Sequence, residues 1–222
     1  VQIEILYQNS DFIVVNKPAG LITHAVVDKS RENLFDIIKE KFKGQYVGLL
    51  HRLDKDTSGA LLLSLNPDVN LQLQQMLEGR EIKKTYTAIV CGPWTPKTFT
   101  LEDFLKKERI KGIDKMVKVN AGGQKTITFI NETTSLKDST ILSMTLETGR
   151  MHQLRVQTAL RRHPVMGDEI YGDTGFDKKH QIQRLYLHAS TLELAWKNEN
   201  LKIEAPLPNE FTQWIRTHQL AD

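Results

Sequence analysis

Between two apolar runs, Val47 to Leu50 and Ala60 to Leu65, the chain interposes His51, Arg52, Asp54, Lys55, Asp56, Thr57 and Ser58. A dense polar loop held between two buried strands suits chemistry, because a rigid scaffold fixes side chains that still reach solvent. A carboxylate in such a loop can attack as a nucleophile or take a proton. Asp54 and Asp56 also resemble the nucleophile and acid of a glycosidase, although two positions on one loop do not define a separation. The plainer reading is a charged hairpin tip, for which Asp56, Thr57, Ser58 and Gly59 are suitable turn residues.

Two other groups could assist a carboxylate. Tyr86 lies in Thr85 to Val90, where a period of two sets Tyr86, Ala88 and Val90 opposite Thr85, Thr87 and Ile89. By pattern alone it is a core aromatic. At Thr148-Gly149-Arg150 a strand ends, Gly149 permits a sharp turn, and Val156, Ala159 and Leu160 then recur along one side of a helix. Arg150 would stand at the start of that helix, where the dipole disfavours a cation unless an anion lies near, so a carboxylate or phosphate partner is expected. Other chemistries have no support: there is no Gly-x-Ser-x-Gly around Ser58, no Walker loop, no Gly-x-Gly-x-x-Gly, no paired cysteines and no His-Glu-x-x-His.

The elements that must position these groups are mostly strands. Apolar or alternating runs predict strands at Ile3 to Tyr7, Phe12 to Asn16, Val47 to Leu50, Ala60 to Leu65, Thr85 to Val90, Thr126 to Ile130, Thr140 to Leu146 and Leu185 to Leu194. Helical spacing joins Leu34, Ile37, Ile38 and Phe42, and again Val69, Leu73, Met76 and Leu77 behind a start at Pro67-Asp68. A third helix follows Gly149 and a fourth covers Glu210 to His218. Gly92 to Gly123, rich in charges, Pro and Gly, reads as an irregular excursion between strands. Strands outnumber helices without alternating with them, which predicts an α+β fold around a mixed, mostly antiparallel central sheet flanked by helices and loops, with an active-site cleft.

Composition sets the bounds. The 222 residues are 40% hydrophobic, enough for one sizeable core or two tightly fused lobes. Lys and Arg number 30 against 27 Asp and Glu, and a net +3 is too small to establish a nucleic-acid partner by itself. Distribution matters more: basic clusters occur at Lys83-Lys84, Lys106-Lys107, Arg109 to Lys111, Arg161-Arg162 and Lys178-Lys179. Cys91 alone excludes an internal disulfide, fits a reducing compartment, and sits among Ala88, Ile89 and Val90 as a small core residue. No apolar run approaches the ~20 residues needed to cross a bilayer, and Val1-Gln2-Ile3-Glu4 lacks the regions of a signal peptide, so no membrane partner and a cytoplasmic location are expected. The strand pattern starts at once and without Met, which suggests a domain excised from a longer chain.

The string His51-Arg52-Leu53-Asp54-Lys55-Asp56-Thr57-Ser58-Gly59 is similar to the hallmark of RluA-type pseudouridine synthases. Asn16-Lys17-Pro18-Ala19-Gly20, Lys83-Lys84-Thr85-Tyr86, Thr148 to Arg155 and Arg184-Leu185-Tyr186-Leu187-His188-Ala189 resemble further motifs in family order, nearly spanning the chain. The resemblance implies a pseudouridine synthase fold over residues 1 to 222 and isomerisation of uridine in RNA. That reaction involves no redox change or energy input, so it implies no cofactor and no metal. It implies Asp54 as the catalytic carboxylate, Arg150 as its cationic partner and Tyr86 against the target base, with the three as neighbours. A stacked uridine must be flipped out to react, and the resemblance makes Arg52 and His51 candidates for filling the gap. It makes Leu187 an apolar wall of the pocket. Lys17 is a candidate RNA contact besides its place in a turn, and Arg155 is read as RNA-facing or solvated.

The chain departs from the family pattern at Arg162-His163-Pro164, where relatives usually have Gly-His-Pro before Gly167-Asp168, and more loosely at Gly123 to Thr126. Lys118-Val119-Asn120, Gly172 to Asp177 and Ile203 to Pro206 lean toward the RluC branch, which implies large-subunit ribosomal RNA as substrate and transfer RNA as the alternative. That branch often carries a small N-terminal RNA-binding module, in keeping with the abrupt start. A monomer is expected. The rival from another class is a non-catalytic RNA-binding or chaperone protein, which loss of Asp54, Tyr86 or Arg150 would have favoured.

Overall fold

A computed structural model describes residues 1–25, 31–96 and 99–220. The chain divides into two compact units, one of Val1–Lys84 with His188–Leu207, the other of Thr85–Leu187 with the chain from Pro208 on. Together their elements are those of an α+β fold with mixed, mostly antiparallel strand pairing.

In the first unit the chain forms β1 (Glu4–Gln8), β2 (Phe12–Lys17), α1 (Leu34–Lys41), β3 (Gly48–Leu49), β4 (Ser58–Ser64) and α2 (Pro67–Glu78). The second unit takes up β5 (Lys83–Cys91), β6 (Thr100–Ile110), β7 (Ile113–Lys118), β8 (Gln124–Ser135), β9 (Ser139–Leu146), α3 (Gln153–Leu160) and α4 (Thr174–His180). The chain returns to the first unit through β10 (Leu187–Trp196) and β11 (Glu199–Glu204), and α5 (Asn209–His218) belongs again to the second.

In the first unit β4 is central and every one of its residues is buried. One edge of it pairs antiparallel with β2 along its length. Its other edge is completed in pieces: β10 runs parallel to it at Ser58 and Gly59, and β3 pairs with Leu63 and Ser64. The approach to β10 explains Gly59, which has φ +114° and whose added Cβ would lie 2.2 Å from the Ala189 carbonyl oxygen. Phe12, Val14, Ala60, Leu62, Leu192, Leu194 and Trp196 form the core face, on which α2 places Leu73 and Met76. Each helix starts where its residues dictate: Asn33 accepts from the Asp36 N–H at 3.0 Å, Asn66 accepts from the Asp68 N–H at 3.0 Å, and Pro67 occupies the first turn.

In the second unit β5 pairs with β9, β9 with β8, β8 with β6 and β6 with β7, all antiparallel. The charged stretch expected to be irregular therefore contains a regular hairpin. Its two-residue loop, Lys111 and Gly112, has positive φ at both positions (51° and 80°), the geometry whose twist matches paired strands. Charge hid it: on β6 only Leu101, Asp103 and Leu105 are buried. Residues 97 and 98 of that stretch lie outside the described residues. The sequence reading also passed over α4, capped by Asp173, and β11, joined to β10 by a second left-handed pair, Lys197 and Asn198.

Candidate active site

Asp54 is held from both sides by backbone fixtures of the first unit. On the N-terminal side Leu53 is buried, and the Thr23 hydroxyl donates to its carbonyl at 2.7 Å while accepting its N–H at 3.2 Å. On the C-terminal side the Lys55 carbonyl accepts the Gly20 N–H at 3.0 Å and the Lys17 ammonium at 2.9 Å. Asp54 itself begins a turn, its carbonyl accepting the Thr57 N–H at 3.2 Å. Its neighbours are pinned and its side chain is half-buried. That fixes the origin of the carboxylate without fully burying it.

Lys17 is fully buried, and its ammonium donates to the carbonyls of Pro18 (2.9 Å), Leu21 (2.7 Å) and Lys55. The reading of Lys17 as an RNA contact is therefore replaced: an ammonium spent on carbonyls in the interior is not offered to a phosphate. It ties the turn at Pro18 to Gly20 onto the loop that carries Asp54. Thr23 was missed, since a lone threonine in a loop carries no signal of the partner opposite.

His51 is likewise a structural acceptor. Between the pieces supplied by β10 and β3, the free edge of β4 leaves the Leu62 N–H without a strand, and His51 Nε2 accepts it at 3.1 Å. Burial first, and then the charge of Lys84, pushes the His51 imidazole down to about 3, so it stays neutral and keeps that lone pair free. This fills the gap in the ladder. Arg52 is exposed. After the loop, Ser58 Oγ lies 2.9 Å from His188 Nδ1, and His188 Nε2 lies 3.3 Å from the Ala205 carbonyl, so the buried His188 bridges β4 to the end of β11.

In the second unit Tyr86 lies on β5 opposite Met144 of β9, with only 7% of its surface exposed, and Ala88 and Val90 share its buried side as alternation predicts. Leu187 is buried at the start of β10. Arg150 is exposed in the turn before α3, and its backbone is held by Gln153. Gln153 Oε1 accepts from the Arg150 N–H at 3.1 Å and from Thr148 Oγ1 at 2.7 Å, while Nε2 donates to the Ile127 carbonyl and Thr128 Oγ1, both at 3.0 Å. Every polar position of this buried amide is used.

Arg155 does not face RNA or solvent. It is 5% exposed and makes a two-pronged pair with Asp168, Nε to Oδ2 and Nη2 to Oδ1, both at 2.7 Å. Asp168 also accepts the Ile170 and Tyr171 N–H groups, and Tyr171 Oη accepts the Met116 N–H and lies 3.1 Å from His152 Nδ1. The pair thus ties α3 to the loop after it and to β7.

Residues 11–160 match the family described as RNA pseudouridylate synthase. The ribosomal large subunit pseudouridine synthase C of Buchnera aphidicola subsp. Acyrthosiphon pisum is 32% identical over 219 residues, covering 96% of this chain and 70% of that protein. The tRNA pseudouridine synthase C of Vibrio parahaemolyticus is 34% identical over 232 residues, covering 96% of this chain and 94% of that protein. The solved structure of human RNA pseudouridylate synthase domain containing 4 is similar with a TM-score of 0.76 and 26% identity, over 99% of this chain and 95% of that one. The string around Asp54, its pinned loop and these matches agree, and the chain belongs to the RluA-type RNA pseudouridine synthases.

Proposed function

We propose that this enzyme isomerises uridines of large-subunit ribosomal RNA with Asp54 as its catalytic carboxylate. The observation that carries the assignment of Asp54 is the pinning of Leu53 and Lys55 on either side of it, which fixes its backbone while its side chain stays half-buried. The reaction breaks the bond from ribose C1′ to uracil N1, turns the base, and forms a bond from C1′ to C5. The C5 hydrogen leaves as a proton and N1 gains one, so atoms and electrons balance with no cofactor. A fixed carboxylate serves attack on the ring, attack on the sugar carbon or removal of a sugar proton. Tyr86 takes the place against the turned base as stack and proton acceptor, Arg150 supplies the cation, Leu187 an apolar wall, and exposed Arg52 enters the gap the flipped uridine leaves.

Transfer RNA is the second reading, favoured by the Vibrio parahaemolyticus relative, which the match spans over 94% of its length. Mapping pseudouridines in ribosomal and transfer RNA of a deletion strain tests both. Sites in large-subunit RNA should vanish, return with the intact gene and stay absent with Asp54→Asn. Restoration by Asp54→Asn sinks the catalytic assignment, and losses confined to transfer RNA sink the ribosomal one.

A further inference from the structure

The positive charge of this chain is concentrated in one place. Residues 105–118 carry six of its Lys and Arg residues against Glu108 and Asp114, a net +4, so the other 208 residues sum to −1 within the total of +3. Those fourteen residues are the second half of β6, the loop and β7. Lys107 is held by Asp114 at 2.7 Å, whereas Lys106, Arg109 and Lys111 are exposed.

The sheet that carries this hairpin has one covered face and one open face. On the covered side α3 packs Val156 against Leu105 and Met116, and Gln157 donates to Asp103 Oδ2 at 2.9 Å. Strand alternation puts Phe104, Lys106 and Ile110 of β6 on the opposite side, and the register adds Lys125 opposite Phe104, Phe129 opposite Thr100, and Ile113 opposite Ile110. Phe104, Phe129, Ile110 and Ile113 are 44, 39, 39 and 49% exposed. The same face carries Glu102, paired with Lys125 at 2.9 Å, and Glu108, so its open cations are Lys106 and those of the hairpin end, and two open phenyl rings beside them combine base stacking with phosphate attraction.

We propose that the open face of β6 to β8, with the β6–β7 hairpin, is a platform that grips unpaired nucleotides of the RNA substrate outside the segment that carries Asp54. Phe104 and Phe129 stack on bases, and Lys106, Arg109 and Lys111 meet the backbone, while Lys125 is held by Glu102 on the same face at 2.9 Å. Charge complementarity selects RNA over an apolar protein partner or a second copy of this chain. The proposal rests on the enzyme acting on RNA.

The test uses the intact protein with fluorescein-labelled oligouridylate for binding, and in vitro-transcribed large-subunit ribosomal RNA and transfer RNA for turnover. Phe104→Ala should weaken oligouridylate binding on the order of tenfold. The neutral triple variant Lys106→Gln, Arg109→Gln, Lys111→Gln should reduce the slope of log K against log salt by about 2. Both should raise KM on the transcript the enzyme modifies while leaving kcat near wild type. The charge-keeping triple Lys106→Arg, Arg109→Lys, Lys111→Arg should restore binding, separating charge from fold. Unchanged affinity and slope in the neutral variant overturn the platform and leave the lysines as guards of an edge strand. Equal weakening by the charge-keeping variant overturns it too, as does Phe104→Ala dissolving an oligomer with RNA binding intact. Failure of the wild type to make pseudouridine in either transcript is a different outcome, counting against the proposed function.

Discussion

The Lys17 ammonium stands 2.9 Å from the carbonyl oxygen of Lys55, the residue that follows Asp54. A buried charge donating to backbone carbonyls is a strong but brittle fixture, because removing it takes the ammonium donor from the Pro18 and Leu21 carbonyls and leaves the Lys55 carbonyl with the Gly20 N–H. Lys17→Met should cost about 2–4 kcal/mol in urea denaturation and lower kcat through misplacement of Asp54. Thr23→Val, which strips both polar partners from Leu53, should cost about 1–3 kcal/mol and also lower kcat. If either variant turns over substrate like the wild type, the pinning does not position the carboxylate.

His51 gives the fold a dependence on acidity. Its folded-state value near 3 lies below the ordinary 6.5, so between those values the unfolded chain binds a proton that the folded chain refuses. Stability contributed by neutral His51 is complete above pH 6.5 and falls as the solution is acidified through that window, by up to ~1.4 kcal/mol per pH unit. Gln at this position keeps an acceptor for the Leu62 N–H and does not titrate. Urea melts of wild type and His51→Gln should therefore differ by a gap that widens from pH 7 to pH 4, and parallel curves would refute the role of the imidazole.

The Arg155–Asp168 pair responds in a different window. Burial raises the Asp168 carboxyl, but the hydrogen bonds and charge of Arg155, joined by the Tyr171 and Ile170 N–H groups, outweigh it and hold the group below its ordinary 3.8. A depressed carboxylate contributes fully above that ordinary value and loses its contribution as pH falls through the folded one. Asp168→Asn at neutral pH removes the charge that balances a buried guanidinium and should cost about 3–5 kcal/mol. Paired replacement, Arg155→Met with Asp168→Leu, should recover much of that loss in thermal melts. A double variant as unstable as the single one would mean the pair contributes more than mutual neutralisation.

Arg162 shows how a departure from a sequence pattern becomes legible only in structure. The motif this chain resembles leads one to expect glycine there, and Arg162 follows α3 with φ 65°, a left-handed position that favours glycine after a helix. Arg162→Gly should raise stability by up to about 1 kcal/mol, read as a higher melting temperature with activity retained. A loss of activity instead would give the guanidinium a function.

Periodicity located the strands around Asp54 and Tyr86 and all the helices with an apolar stripe, because those elements face a core. It missed the β6–β7 hairpin, whose exposed strands are mostly charged, although Lys111-Gly112 between Ile110 and Ile113 is a turn signal of the right length. The roles of His51 and Arg155 were out of reach for another reason. A cation's partner thirteen residues away, or an imidazole filling a gap between two strand ends, is a tertiary fact with no local period. Asp168 carried a usable hint, since an acid in a recurring Gly-Asp pair near a buried helix invites a search for its cation.

Gln153 tests whether Arg150 acts through its placement. The amide is 2% exposed and joins the Arg150 N–H to Thr148, Ile127 and Thr128, so it sets the turn from which the guanidinium projects. Gln153→Leu should cost about 2–4 kcal/mol by orphaning these groups, and should lower kcat on the order of tenfold to a hundredfold. Arg150→Ala should lower kcat at least as much with little loss of stability, since its side chain is exposed. If Gln153 works through Arg150, the double variant should turn over no more slowly than Arg150→Ala alone. Multiplicative losses in that double-mutant cycle would mean that Gln153 supports catalysis by another path.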